Sequence, residues 1–217
     1  MSNDTTAVIF DMDGVLVDSV PYNWQAVNEV LARYGIHIAD QDLRKYIGRS
    51  FRSILNELSA DNGLSLEYDE INPAITEIKQ KLMANLPPKE GVVELLELLQ
   101  ANSIPFAVAT SSAQAEAERK LSTAGILDYF RVVITEEDVS THKPNPAVYL
   151  KAAQLLGVSP ERCVVFEDSP AGIQAANQAG TKCIAIKTPY TNADDLSEAT
   201  VSVTSLADVT IKFIKSL

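Results

Sequence analysis

Short apolar runs bounded by turn residues recur along the chain, at residues 7–10, 106–109, 132–134, 164–166 and 183–186, and each has the length and makeup of a buried strand. Between the later runs the spacing turns helical, over 91–100, 113–124, 146–156 and 171–179, the last closing on Gly180 as a C-cap. Alternation of strand and helix predicts an α/β fold built on a doubly wound, Rossmann-like parallel sheet.

The first two apolar runs stand about ninety residues apart, far more than an ordinary crossover needs. The intervening stretch has helical periodicity at 24–34, 51–58 and 71–83 and ends at Pro87-Pro88. It reads as an inserted α-helical cap domain, 19–87, interrupting a core made of 1–18 and 88–217. The proline pair and the segment after Asp18 are then the two linkers, where a few residues absorb hinge rotation. The alternative is that Pro87-Pro88 merely stops one helix before the next begins at Gly91. Near the end, Leu206, Val209, Phe213 and Leu217 fall close to helical spacing and predict a final helix over 205–217.

Chemistry gathers where the predicted strands end. The first run leads into Asp11-Met12-Asp13-Gly14, two carboxylates two residues apart at the carboxyl edge, where open parallel sheets bind their ligands. Two crowded like charges call for a cation or a shared proton, so the spacing suits a hard, oxygen-liganded divalent ion such as Mg²⁺; it also suits a solvated acidic turn. The calcium loop of an EF-hand is excluded, because it needs glycine at its sixth position and Gly14 is the fourth. Neither GxGxxG nor GxxxxGK[ST] occurs, which removes the usual dinucleotide and P-loop readings.

The second run enters Thr110-Ser111-Ser112 at the start of a helix, where hydroxyls and free amides favour an anion, although Ser112 also serves as a plain N-cap. After the third comes Thr141-His142-Lys143-Pro144-Asn145-Pro146, whose prolines hold the backbone extended and set the direction of Lys143. The fourth ends in Glu167-Asp168-Ser169-Pro170, a second acidic pair able to complete a metal site with Asp11 and Asp13. Each feature alone has a bland explanation, but acid pair, hydroxyls, lysine and acid pair on four successive strand ends form one constellation.

Charge narrows the partners. Eighteen Lys and Arg against 29 Asp and Glu leave a net charge of −11, which repels nucleic acid and anionic membranes. No apolar run reaches the roughly 18 residues of a membrane span, and the polar start lacks a basic targeting region, so a cytoplasmic protein is expected. Cys163 and Cys183 lie in apolar runs without a CxxC pattern and read as buried reduced thiols. Nothing in the pattern sets an oligomeric state.

The run DMDGVLVDS, then ATSS, then KPNP, then FEDSPAGI resembles the haloacid dehalogenase superfamily, in its capped branch near beta-phosphoglucomutase and small sugar-phosphate phosphatases. The resemblance implies that Asp11 is a nucleophile forming an aspartyl-phosphate and that Asp13 is the acid/base. It implies that Thr110, Ser111, Ser112 and Lys143 hold phosphate, with Thr110 and Lys143 part of the catalytic set. It assigns Mg²⁺ to the Asp11 carboxylate, the Asp13 carbonyl and Asp168, with Glu167 a further or outer ligand. The chemistry agrees, since a carboxylate attacking a phosphate dianion needs positive charge beside it.

The implied activity is hydrolysis of a small phosphorylated metabolite, a sugar phosphate above all, with phosphosugar mutation as the alternative. Two departures favour hydrolysis. The mutase carries a histidine ten residues after the acid/base, where this chain has Asn23, and the mutase's cap arginine falls at Phe51, beside Arg52. Arg49 and Arg52 are the cap candidates for substrate contact, or else surface charges. A phospho-accepting signalling module is disfavoured by the chain's length and its insertion, and a retired scaffold by the intact Asp11, Asp13, Lys143 and Asp168.

Overall fold

A computed structural model describes residues 6–46, 51–192 and 194–217. The chain divides into two compact units, Met1–Asp18 with Leu86–Leu217, and Ser19–Asn85.

The larger unit is built on a six-stranded, all-parallel sheet: β1 (Ala7–Phe10), β2 (Phe106–Ala109), β3 (Val133–Ile134), β4 (Cys163–Glu167), β5 (Lys182–Ile186) and β6 (Val201–Val203), in the order β3-β2-β1-β4-β5-β6. The order reverses between β1 and β4, and a crevice at the carboxyl ends of such a pair is where doubly wound sheets bind ligands. Phe10 pairs with Phe166, so Asp11, just past β1, and Glu167, the last residue of β4, stand at the same level of the carboxyl edge.

Strand alternation sorts the two faces. Ala7, Ile9, Ala107, Ala109 and Val165 pack with Tyr149, Ala152, Ala175 and Ala176 in one buried cluster, small residues that let helices lie close to the sheet. Phe10 points the other way, stacked on Phe166 at 5.2 Å between ring centroids and edge-on to Phe106 and Phe130.

Among its described residues the smaller unit, Ser19–Asn85, holds the α-helices α1 (Val20–Leu31), α2 (Phe51–Asn62) and α3 (Tyr68–Leu82), whose buried faces include Val27, Val30, Leu55, Leu58, Ile71 and Ile75. The helix start expected at Trp24 lies earlier because Pro21 fits the first turn, where its missing N–H costs nothing. In the larger unit follow α4 (Val92–Ala101), α5 (Gln114–Thr123), α6 (Ala147–Leu156), α7 (Pro170–Ala179) and α8 (Ile211–Lys215).

Two expectations need correction. The sixth strand was not anticipated: Val201-Ser202-Val203 is a three-residue, half-buried edge strand, too short to give a periodic signal. The helix expected over 205–217 is instead a 3₁₀ turn at Leu206–Asp208 followed by the five-residue α8. Ser205 and Thr210 each accept a backbone N–H, from Ala207 and Phe213, so two caps start two short elements where the apolar spacing suggested one. Cys163 and Cys183 are buried and unbridged. Among the described residues no helix is long and apolar enough to cross a membrane.

Candidate active site

The carboxyl edge of β1, β2 and β4 carries a network centred on Lys143. Its Nζ donates to Asp11 Oδ1 at 2.5 Å, Glu167 Oε1 at 2.7 Å and the Ala109 carbonyl at 3.3 Å. The lysine arrives on the loop before α6, with a cis peptide bond to Pro144, and its side chain is 8% exposed. Burial works against the ammonium, but Asp11 and Glu167 outweigh it and raise the lysine above its ordinary range.

Glu167 is fully enclosed. Oε1 accepts from Lys143 and from the Tyr149 hydroxyl at 2.7 Å, while Oε2 accepts from the Asp168 and Ser169 backbone N–H groups at 2.8 and 3.0 Å and from the Ser169 hydroxyl at 3.0 Å. Burial alone would raise its carboxyl; the Lys143 charge and these donors bring it below the ordinary carboxylate range. Both of its oxygens thus accept hydrogen bonds from groups of the larger unit.

Asp11 lacks that support. Burial pushes its carboxyl up to about 7, against the pull of Lys143 and with the push of Glu167 and Asp13. Asp168 is also raised well above the carboxylate range, by burial and then by Glu167 and Asp11, with Lys89 and Lys143 opposing. Asp11, Glu167 and Asp168 offer oxygens within 4.8 Å of one another. Three carboxyl groups against Lys143 and Lys89 leave acidic groups in excess, and an all-oxygen donor set fits a hard divalent cation. Gly14 belongs to this arrangement: a Cβ there would fall on the Asp168 carboxylate, and its carbonyl accepts from Lys89 Nζ at 2.5 Å.

Asp13 is held from a different side. Its Oδ1 accepts from Lys120 Nζ at 2.7 Å and its Oδ2 from the Ser112 hydroxyl at 3.0 Å. Thr110 is buried and its hydroxyl accepts the Ser112 backbone N–H at 3.1 Å, which closes the turn after β2. Ser111 is exposed.

Asp11, Asp13, Thr110, Ser112, Lys143, Glu167 and Asp168 are thus assembled on one edge of the larger unit. Arg52 pairs with Asp69 at 3.2 Å and stacks over the Tyr68 ring at 4.1 Å to its centroid, all within the smaller unit. Arg49 lies outside the described residues. Asn23 sits in α1, with a buried Oδ1 that has no hydrogen-bond partner among the described residues.

Three residues of this edge escaped the sequence reading. Lys120 sits in register with Ala117, Leu121 and Ala124 on the apolar stripe of α5, and a lysine on a core stripe was the available signal. Tyr149 carries no distinguishing pattern in the sequence, and only the fold brings its hydroxyl to Glu167. Lys89, next to Pro88, gave no signal.

The family model described as haloacid dehalogenase-like hydrolase matches residues 8–186. The validoxylamine A 7'-phosphate phosphatase of Streptomyces hygroscopicus subsp. limoneus is 35% identical over 205 residues, covering 93% of this chain and 94% of its own length. The phosphorylated carbohydrates phosphatase of Thermotoga maritima is 35% identical over 179 residues, covering 82% of this chain and 83% of its own. Among solved structures, a HAD family hydrolase of Deinococcus radiodurans R1 with bound phosphate and sodium superposes with a TM-score of 0.81 at 31% identity, covering 94% of this chain and 93% of that one.

Proposed function

The chain belongs to the haloacid dehalogenase-like hydrolase family, and we propose that it is a Mg²⁺-dependent phosphatase of small phosphorylated metabolites, sugar phosphates above all, working through an aspartyl-phosphate. The observation that carries this reading is the pairing of Lys143 with Asp11 at 2.5 Å at the switch point of the sheet, with Asp13 held separately beside it. Two carboxylates in such different surroundings suit two roles. The names of the two phosphatase relatives support the choice of substrate class.

Asp11 attacks phosphorus while Asp13 gives its proton to the leaving oxygen, so the ester bond breaks as the acyl phosphate forms. Asp13 then takes a proton from the attacking water, and inorganic phosphate leaves with Asp11 restored. Lys143 offsets charge on the transferring oxygens, and Thr110, Ser111 and Ser112 hold phosphate at the turn after β2. A bound Mg²⁺, held by the Asp11 carboxylate, the Asp13 carbonyl and Asp168, would supply the positive charge that lets one anion approach another. Glu167 holds Lys143 behind them. The inserted unit Ser19–Asn85 serves as the substrate-selecting cap.

Hydrolysis is favoured over phosphosugar mutation by Asn23 at the mutase histidine's position and by the engagement of Arg52 with Asp69. The test is release of inorganic phosphate from a panel of sugar and small-acid monophosphates, with Mg²⁺ and with EDTA, including beta-glucose 1-phosphate followed by a glucose 6-phosphate detector. Metal-dependent phosphate release is expected. Glucose 6-phosphate formed without free phosphate, and stimulated by a sugar bisphosphate, would move the assignment to a mutase.

A further inference from the structure

Lys120 is 2% exposed, yet it carries an ammonium on the apolar stripe of α5, beside Ala117 and Leu121. Burying that charge is costly, and a helix-stabilising pair with Glu116 could form equally well at the surface. The side chain instead reaches the turn after β1 and meets Asp13 Oδ1 at 2.7 Å, with Glu116 Oε1 at 2.9 Å completing the pairing. Ser112, on the segment that opens α5, donates to the other oxygen, Oδ2.

Both oxygens of Asp13 are therefore gripped by donors from the β2–α5 segment. The two grips differ in kind. An ammonium can only donate, which keeps Oδ1 an acceptor, whereas a hydroxyl can donate or accept and so tolerates a proton on Oδ2.

Resting on the reading of Asp13 as the acid/base, we infer that Lys120 is a positioning residue that clamps Oδ1 and turns Oδ2 toward the leaving oxygen. When the ester bond breaks, the proton on Oδ2 passes to the departing oxygen and Asp13 is left a carboxylate facing two fixed donors. No contact of Lys120 with substrate is required.

The test compares two esters of similar size whose leaving groups differ in their need for a proton. Benzyl phosphate departs as an alkoxide and needs the acid; p-nitrophenyl phosphate departs as a stabilised phenolate and needs it far less. Lys120→Met keeps the stem and removes the charge. It is expected to lower kcat/KM for benzyl phosphate by about tenfold more than for p-nitrophenyl phosphate, with Lys120→Arg recovering part of the difference.

Asp13→Asn, measured alongside, is expected to show the same preference in stronger form. Equal losses on both esters with Lys120→Met, while Asp13→Asn still discriminates, would overturn the role of Lys120 and leave the function standing. Failure of Asp13→Asn to discriminate would overturn the reading beneath it. Should Lys120→Met not fold, Lys120→Leu, which likewise has no donor, carries the same comparison.

Discussion

The Glu167 carboxylate occupies the space that a Cβ on Gly172 would fill. Gly172 sits in the first turn of α7 and its N–H caps onto Ser169, so helix and acidic pair are built as one unit. Gly172→Ala is expected to push Glu167 off Lys143, costing about 1–3 kcal/mol of stability, measurable by urea denaturation, together with a fall in turnover. A variant as stable and active as the parent would show that the helix shifts freely.

Tyr149→Phe removes one donor from a fully buried carboxylate and leaves no room for water to replace it. A loss of about 1–3 kcal/mol is expected in the same denaturation measurement, the range for a hydrogen bond to a charged group.

Asp11→Asn is expected to lower turnover on the order of 10⁴-fold or more, because an amide cannot form the acyl phosphate. Lys143→Ala should weaken both phosphate binding and rate, and in addition leave Asp11 and Glu167 without their shared counter-charge. Steady-state kinetics on the best substrate of the panel check both.

Chelation gives a separate outcome. Treatment with EDTA should abolish phosphate release and added Mg²⁺ should restore it, while the far-ultraviolet circular dichroism stays unchanged, since the sheet and helices are held together by their own apolar core. Full activity in EDTA would remove the metal from the mechanism.

The two thiols predict a pH effect. Burial pushes Cys163 up to about 11 and Cys183 up to about 12, from an ordinary value of 9. The folded state then keeps protons that the unfolded state releases, so these groups make stability fall as pH rises above about 9. Denaturation midpoints at pH 8 and pH 10 test the sign. Native protein at pH 8 should react slowly with a disulfide reagent and rapidly once unfolded.

Much of the core was legible because local rules and tertiary packing agree there. Runs of three or four apolar residues between turn signals became β1, β2, β4 and β5, and the helices between them followed their stripes. The failures came where local signals were weak. The three-residue β6 depends on pairing with β5 for its existence, and the C-terminal apolar spacing was broken by the caps at Ser205 and Thr210.

The same division runs through the site. Chemical type and strand-end position are properties of the linear chain, so Asp11, Asp13, Thr110, Lys143, Glu167 and Asp168 stand out in the sequence itself. What each does to the next is not a linear property. Glu167 and Asp168 are neighbours in sequence, yet one carboxyl is lowered and the other raised, because Lys143 and the donors from Tyr149 and Ser169 close around Glu167. Lys120 lies 107 residues from Asp13 and meets it only because α5 packs beside the β1 turn. Charge and hydrogen-bonding capacity were written in the sequence; burial and distance, which decide how strongly they act, came from the packing.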